Sequence, residues 1–175
     1  MADVSLRFMI DADHGQFYVQ DFDPYDAWIA EHAADSDLAP AGWTKEAVYV
    51  QRIGVEPHSI SVGTARDDVV ESVITVHASA PTKNPTDEHI VETDLHAPTG
   101  QLTMSSPGTD GADGPSLTVP AGLLRVRISY VPAGPPTSDT NEGPGDHFLY
   151  QVDLWPSDRA HGLVILKQGP EIWAG

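Results

Sequence analysis

The sequence predicts an all-β fold, a two-sheet antiparallel β-sandwich with one or two short helices. Three observations support this class. About ten short segments have the alternating or β-branched and aromatic composition of strands. Turn-forming residues separate them, including 15 Pro and 15 Gly among 175 residues. Helical periodicity is confined to two short stretches, which disfavours alternating βα units.

The strand pattern extends over nearly the whole chain. The predicted strands occupy residues 4–10, 16–20, 58–64, 69–78, 89–96, 101–105, 117–119, 123–131, 148–155 and 162–167. The second follows the first across the acidic turn 11–15, at the distance expected for a hairpin.

Two helices and one long loop complete the prediction. Apolar and aromatic side chains recur at i, i+3, i+4 and i+7 over residues 25–32, with Asp23 as N-cap before Pro24. A second helix is predicted at 44–48 with Thr44 as N-cap. Residues 132–146 contain no aliphatic side chain larger than alanine and predict a mobile loop within one domain spanning 1–175.

The net charge limits the choice of partner. The chain has 26 Asp and Glu against 9 Lys and Arg, a formal charge of −17. A basic nucleic-acid surface and attraction to anionic lipid are therefore not expected, whereas a basic protein partner is. Residues 1–37 hold nine acids and only Arg7 as a base, and six acids lie between Lys83 and Arg125. General solvation, or adaptation to high salt, would also explain the acidity.

Absent features narrow the class further. The chain has no cysteine, so disulfides, thiolate nucleophiles and Cys-ligated metals are excluded. No signal peptide and no apolar run of membrane-spanning length is visible. We expect a cytoplasmic protein with no cofactor.

One predicted strand carries the best candidate for metal chemistry. Alternation over residues 89–96 places Glu92, Asp94 and His96 on one face and Val91 and Leu95 on the other. Two carboxylates and an imidazole could bind a divalent metal, but no converging ligand pattern accompanies them. The simpler interpretation is that these three side chains form the solvated face of a strand whose opposite face joins the core.

Three acidic turns, 11–14, 21–23 and 109–114, could offer oxygen ligands to calcium, yet none has the periodicity of an EF-hand loop. Turn formation explains their Asp and Gly content equally well. No nucleophile elbow or phosphate-binding loop is present. The sequence therefore predicts a protein that is not an enzyme and has no metal site.

Trp155 falls out of phase with the apolar side of its predicted strand. Alternation groups it with Gln151 and Asp153, opposite the apolar residues of the segment. An exposed tryptophan beside an acid is typical of a protein-binding surface. A tryptophan that covers one end of the sandwich is the alternative.

The order of several segments resembles the competence protein J family. The segments are residues 6–10, 16–19, 43–48 and 59–64, followed by 119–122 before the closing strand 123–130. Proteins of that family are small β-sandwiches that inhibit a partner nuclease by binding it. The resemblance therefore implies a sandwich fold and inhibition of a nuclease.

The resemblance and the charge lead to one functional hypothesis. A nuclease cleft is positive because it holds a polyanion, so a rigid acidic sandwich could occupy it. The predicted partner-binding residues are Asp11, Asp13, Asp21, Asp23 and Asp26, then Glu92 and Asp94, with Trp155 as an apolar anchor. The function is inhibition of, or immunity to, a nuclease or other basic toxin. The alternatives are a calcium- or carbohydrate-binding sandwich and a metal-dependent enzyme built around Glu92, Asp94 and His96.

Overall fold

A computed structural model describes residues 3–109, 111–133 and 148–169. The strands are β1 (Val4–Asp11), β2 (Gln16–Gln20), β3 (Ile53–Glu56), β4 (Ser59–Gly63), β5 (Val69–Val76), β6 (His89–Ala97), β7 (Gln101–Ser105), β8 (Ser116–Thr118), β9 (Gly122–Pro132), β10 (Phe148–Pro156) and β11 (Val164–Lys167). Helix α1 spans Phe22–His32, 3₁₀ turns span Asp13–Gly15 and Pro40–Gly42, and a π-helical turn spans Ala47–Gln51.

The strands form two sheets, as the sequence predicts. One sheet has six strands in the order β1-β5-β10-β9-β6-β11, and the other has five in the order β3-β4-β2-β7-β8. Neighbouring strands are antiparallel except β5 and β10, which run parallel. The all-β, two-sheet prediction is confirmed, with this parallel pair as the difference.

The predicted hairpin of the first two strands is wrong. β1 pairs with β5 in the six-stranded sheet, whereas β2 pairs with β4 and β7 in the other sheet. The connection between β1 and β2 passes from one sheet to the other, because both strands bury large side chains in the core between the sheets. Phe8 of β1 and Phe17 of β2 meet edge to face across the interior, with ring centroids 6.4 Å apart.

The core lies between the inner faces of the two sheets. β9 contributes its centre, with Leu124, Val126, Ile128 and Tyr130 completely buried. Val91 and Leu95 of β6 are buried in the same core, so the predicted inward face of that strand is confirmed. Alternation alone sufficed there because the opposite face of β6 carries the charged side chains of Glu92 and Asp94.

The strand that sequence analysis missed is β3. Its interior residue Gly54 weakens the strand pattern, and the structure gives the reason for a glycine. A Cβ at Gly54 would collide with the carbonyl oxygen of Ala41, in the turn that packs on this strand.

The helical segments begin near their predicted positions and extend differently. Helix α1 begins at Phe22, after Asp21, so it starts before the predicted cap Asp23. The Ala47 N–H donates to Thr44 Oγ1 at 3.1 Å, which confirms Thr44 as a capping side chain. The chain then continues through Gln51 as the π-helical turn. Beyond Ala133, the predicted loop 132–146 lies outside the described residues.

Candidate partner-binding surface

The first predicted acidic group is divided between two ends of the sandwich. Asp11 ends β1 and Asp13 lies in the following turn, both beside the start of β2. Asp23 and Asp26 lie on α1, which follows the end of β2, and are exposed. Because β2 is five residues long, its full length of roughly 16 Å separates the two pairs. The structure therefore brings Asp11 together with Asp13 but not with the acids of α1.

The Asp21 side chain is buried and hydrogen-bonded within the protein. Its side chain is 1% exposed and accepts hydrogen bonds from the Thr99 N–H at 2.9 Å and the Thr99 hydroxyl at 2.7 Å. The carboxylate thus ties the start of α1 to the connection between β6 and β7.

The second predicted group, Glu92 and Asp94, forms an ion-pair ladder on the outer face of the six-stranded sheet. Arg125 contacts both carboxylates, at 3.3 Å from Glu92 and 3.0 Å from Asp94. Arg127 lies 2.9 Å from Glu92. Neighbouring strand register creates these pairs, since Glu92 stands opposite Arg127 and Asp94 opposite Arg125.

Two segments cover this ladder, so the face is not the solvated one that the sequence suggested. The N–H groups of His161 and Gly162 donate to Asp94 Oδ2 at 2.8 and 2.6 Å. Arg127 Nη1 donates to the carbonyl oxygen of Pro81 at 2.7 Å. Of Glu92, Asp94 and His96, which the sequence places on one face of this strand, only His96 is exposed.

Trp155 lies on the same outer face and is 9% exposed. The guanidinium of Arg127 stands over its ring, 5.2 Å from the centroid. Trp155 therefore packs as part of the covered ladder.

Burial removes four of the cations from the exposed surface. Four of the nine Lys and Arg are buried: Arg52, Arg66, Arg125 and Arg127. Three of them, Arg66, Arg125 and Arg127, are paired with Asp68, Glu92 and Asp94. These cations therefore neutralise the carboxylates next to them and not the exposed acids elsewhere on the surface.

The end of the sandwich where β1 finishes combines several acids. Here residues 11–15 meet residues 64–68 through backbone hydrogen bonds, Ala12 N–H to Asp68 O at 3.0 Å and Thr64 N–H to Gly15 O at 2.8 Å. We call residues 11–15 and 64–68, together with the π-helical turn Ala47–Gln51, the loop end. Asp67 belongs to it and accepts a hydrogen bond from the His14 N–H at 2.8 Å.

The acids of the loop end differ in their pairing. Asp68 lies 3.0 Å from the buried Arg66. Asp11, Asp13 and Asp67 form no salt bridge with a Lys or Arg of the described chain. These three carboxylates therefore supply negative charge that an external cation can reach.

The charge of Asp13 at the loop end also acts on Tyr18 of the neighbouring sheet. Tyr18 of β2 is half-buried on the outer face of the five-stranded sheet. Burial raises the pKa of its hydroxyl, and the charges of Glu56 and Asp13 raise it further. Glu56 also accepts a hydrogen bond from Tyr25 at 2.7 Å, which fastens α1 to β3.

The π-helical turn gives the loop end an apolar component. Three consecutive side chains on it, which we call the apolar turn, are exposed: Val48 by 39%, Tyr49 by 56% and Val50 by 39%. A cavity of about 290 Å³ adjoins it, lined by His14, Gly15, Gln16, Trp43, Val48, Arg52, Gly63 and Thr64. The cavity places the apolar turn beside the acidic turn that holds Asp13.

The apolar turn is not predicted by the sequence pattern, because the predicted second helix ends at residue 48. The available signal was the run Val48, Tyr49 and Val50, since three consecutive apolar residues do not fit a helix that has one buried face.

The base of the apolar turn is buried and hydrogen-bonded. Ala47 and Arg52, which bracket it, are each 1% exposed, and the Arg52 N–H donates to Ala47 O at 2.6 Å. The Arg52 carbonyl accepts from the Tyr130 hydroxyl at 2.8 Å. The turn is thus attached directly to the central strand β9.

His89 completes this support as a neutral imidazole. Its Nε2–H donates to Gln51 O at 2.9 Å, while Nδ1 accepts from the Gly169 N–H at 3.2 Å. Burial, and secondarily the charge of Arg52, lowers the pKa of His89 to about 4. Both ring nitrogens are therefore used in holding the end of the turn.

No group of three or more His, Asp or Glu side chains in the described part of the chain is placed to hold a metal ion. Within the same ranges, no helix is long and apolar enough to cross a membrane.

Comparisons with known proteins find similarity of structure. No family model matches the sequence, and no curated protein matches it. ComJ from Bacillus subtilis, described as an inhibitor of the DNA degrading activity of NucA, superposes with a TM-score of 0.63 at 16% identity, over 90% of this chain and 100% of ComJ. The protein described as crocagin biosynthetic gene J gives a TM-score of 0.55 at 17% identity, over 91% of this chain and 100% of that one. The resemblance to competence protein J is therefore confirmed in the fold.

Proposed function

We propose that this chain is a non-enzymatic binding protein that inhibits, or gives immunity to, a nuclease or other basic toxin by occupying its positive cleft. The observation that carries the proposal is the fold shared with ComJ, an inhibitor of the NucA nuclease. The formal charge of −17 supports it, because carboxylates can take the place of the phosphates in a cationic cleft.

The proposed contacts come from acids whose side chains reach solvent. At the loop end these are Asp11, Asp13 and Asp67, which no Lys or Arg of the described chain neutralises. Asp23 and Asp26 on α1 are a second, separate acidic area. Asp21, Glu92, Asp94 and Trp155 act in the proposal by holding the scaffold, since their side chains are engaged within it.

The test begins with the full chain immobilised and exposed to extract of its own cells. We expect it to retain a protein of high isoelectric point, identifiable by mass spectrometry, whose DNA-degrading or other toxic activity falls when the purified chain is added in equimolar amount. Raising the salt concentration should weaken the complex, because screening removes long-range attraction. A retained partner that is acidic, or whose binding is insensitive to salt, would contradict the proposal.

The contribution of charge at the loop end can be measured separately. Asp11→Asn should slow association with the retained partner several-fold at low salt and leave dissociation nearly unchanged. Asp158→Asn is the matched control, since it removes one exposed carboxylate after β10, at the opposite end of the sandwich. Equal slowing by both variants would mean that the net charge alone attracts the partner.

A further inference from the structure

We propose that the apolar turn (Val48, Tyr49 and Val50) makes the central contact when the loop end binds a basic protein. In this contact Tyr49 enters an apolar pocket beside that protein's cationic cleft. This inference rests on the proposed function and names the part of the chain that makes the central contact.

The apolar turn is exposed to solvent. Three consecutive large apolar side chains are between 39% and 56% exposed, so exposed apolar area is concentrated in this one turn. Tyrosine is among the residues enriched at interface hot spots, because its ring buries a large apolar area while its hydroxyl can still hydrogen-bond. π-helical turns are rare and are found frequently at functional sites.

The apolar turn is also held rigidly by hydrogen bonds. The turn is fixed from below by Arg52 N–H to Ala47 O, by Tyr130 to Arg52 O and by His89 to Gln51 O. The Ala47 N–H is held in turn by Thr44. An exposed turn on a buried, hydrogen-bonded base loses little conformational freedom when it binds, so its apolar surface can contribute fully to affinity.

Charge complementarity identifies the occupant of this surface. His14, which follows Asp13, lines the same cavity as Val48, and its backbone N–H is bonded to Asp67. Glu46 immediately precedes the turn and is exposed, with Lys45 as the exposed cation beside it. Lys45 and Glu46 offset each other, and Arg52, which also lines the cavity, is buried. The excess negative charge of the loop end therefore comes from Asp11, Asp13 and Asp67, and an apolar turn on such an end fits a partner whose apolar pocket lies among Lys and Arg side chains.

A second copy of the chain fits this surface poorly. Two copies meeting at the loop end would bring Asp11, Asp13 and Asp67 close to the same residues of the other copy. Like charges brought together at an interface disfavour association, and each copy carries a formal charge of −17. We therefore expect the free chain to remain monomeric in sedimentation experiments.

The experiment uses the full chain and the purified basic protein that the immobilised chain retains. Tyr49→Ala should weaken the complex about thirtyfold, mainly through faster dissociation, as for an interface hot spot. Because Tyr49 is 56% exposed, the Tm of the variant should stay near that of the parent chain.

Ile29→Ala is the matched control. Ile29 is also a large exposed apolar side chain, 40% exposed, but it lies on α1 beside the other acidic area. We expect its effect on affinity to be within about twofold.

Four results would overturn the inference. A salt-sensitive complex that Tyr49→Ala leaves intact means that the function holds but the anchor is elsewhere, and a larger effect of Ile29→Ala places it on α1. A dimer of the free chain that Tyr49→Ala dissociates means that the turn binds a second copy. If no basic protein is retained at all, the proposed function itself fails and this inference fails with it.

Discussion

At the scale of single residues, carboxylates of similar sequence context have opposite roles. Asp21 and Asp23 are two positions apart, yet the first is 1% exposed and bonded to Thr99 while the second is exposed. The difference arises because Asp21 turns inward at the end of β2, where the 97–100 connection supplies donors. Sequence spacing does not contain that information.

Replacing Asp21 tests its internal role. Asp21→Ala removes the buried carboxylate that accepts both hydrogen bonds from Thr99. Hydrogen bonds to a charged group contribute more than neutral ones, so we expect a loss of roughly 2–3 kcal/mol in the free energy of unfolding. Urea titration followed by circular dichroism measures it. The neighbouring exposed variant Asp23→Ala should change stability by less than about 0.5 kcal/mol, and an equal effect of the two would refute the assignment.

His89 gives the protein a pH dependence whose sign is defined. In the folded state its pKa is lowered to about 4, whereas the unfolded chain protonates it near 6.5. The unfolded state therefore binds more protons between these values. The contribution of His89 to the free energy of unfolding is complete above pH 6.5. It falls by up to about 3 kcal/mol as the pH decreases toward 4.

The measurement is the difference in unfolding free energy between the parent chain and His89→Gln at pH 7 and pH 4.5. We expect the parent to lose more stability than the variant over this interval. His77 titrates in the opposite sense: burial disfavours its charged form, but hydrogen bonds to Asp153 and Asp3 outweigh burial and raise its pKa. His77→Gln is thus the control, because its difference from the parent should grow at low pH.

At the scale of elements, register between neighbouring strands decides how charges are paired. β6 presents Glu92 and Asp94 where β9 presents Arg127 and Arg125, and β10 adds Trp155 on the same face. The 157–163 segment closes over the ladder through the backbone bonds to Asp94. The face thus stabilises the six-stranded sheet and is withdrawn from solvent.

The ladder predicts a large effect for one arginine. Arg127→Met leaves Glu92 without one of its cations and removes the cation over Trp155, so the unfolding free energy should fall by about 3–5 kcal/mol. Arg7→Met is the comparison, because its pair with Glu71 is exposed and should contribute at most about 1 kcal/mol. Calorimetry measures the loss of unfolding free energy in both variants. A loss in Arg127→Met no larger than that in Arg7→Met would show that the ladder is not stabilising.

At the scale of the whole molecule, the distribution of charge is asymmetric between inside and outside. Four arginines are buried, while the acids of the loop end and of α1 face solvent. The folded chain therefore holds repelling carboxylates on its surface, and this repulsion opposes folding at low ionic strength.

Added salt should consequently stabilise the isolated protein. Between 0.01 and 1 M NaCl the Debye length falls from about 30 to about 3 Å, and we expect the Tm to rise by roughly 3–6 °C. Chloride is used because sulfate also stabilises proteins by exclusion from their surface. A Tm that decreases with NaCl would mean that attractive surface pairs outweigh the repulsion.

The same salt series separates folding from binding. The complex with a basic partner should weaken as NaCl rises, while the free chain becomes more stable. Opposite responses over one range of salt would be the characteristic behaviour of an acidic inhibitor.

The sequence by itself determined the features that depend on neighbouring residues. Alternation in β6 identified Val91 and Leu95 as core residues, and Thr44 was recognisable as a cap from the segment that follows it. The overall charge and the two-sheet class also followed from composition and from the spacing of turns. These properties arise within a few residues along the chain or from simple counting, so no knowledge of distant contacts was needed.

Only the tertiary structure decided which residues face outward. The crossing from β1 to β2, the burial of Trp155 beneath Arg127 and the exposure of Tyr49 all depend on segments far apart in sequence. Alternation states that a side chain lies on one side of a strand, but it does not state what covers that side. That covering comes from strand register and from segments such as 157–163, and it leaves the loop end as the place where acids and an apolar turn meet solvent together.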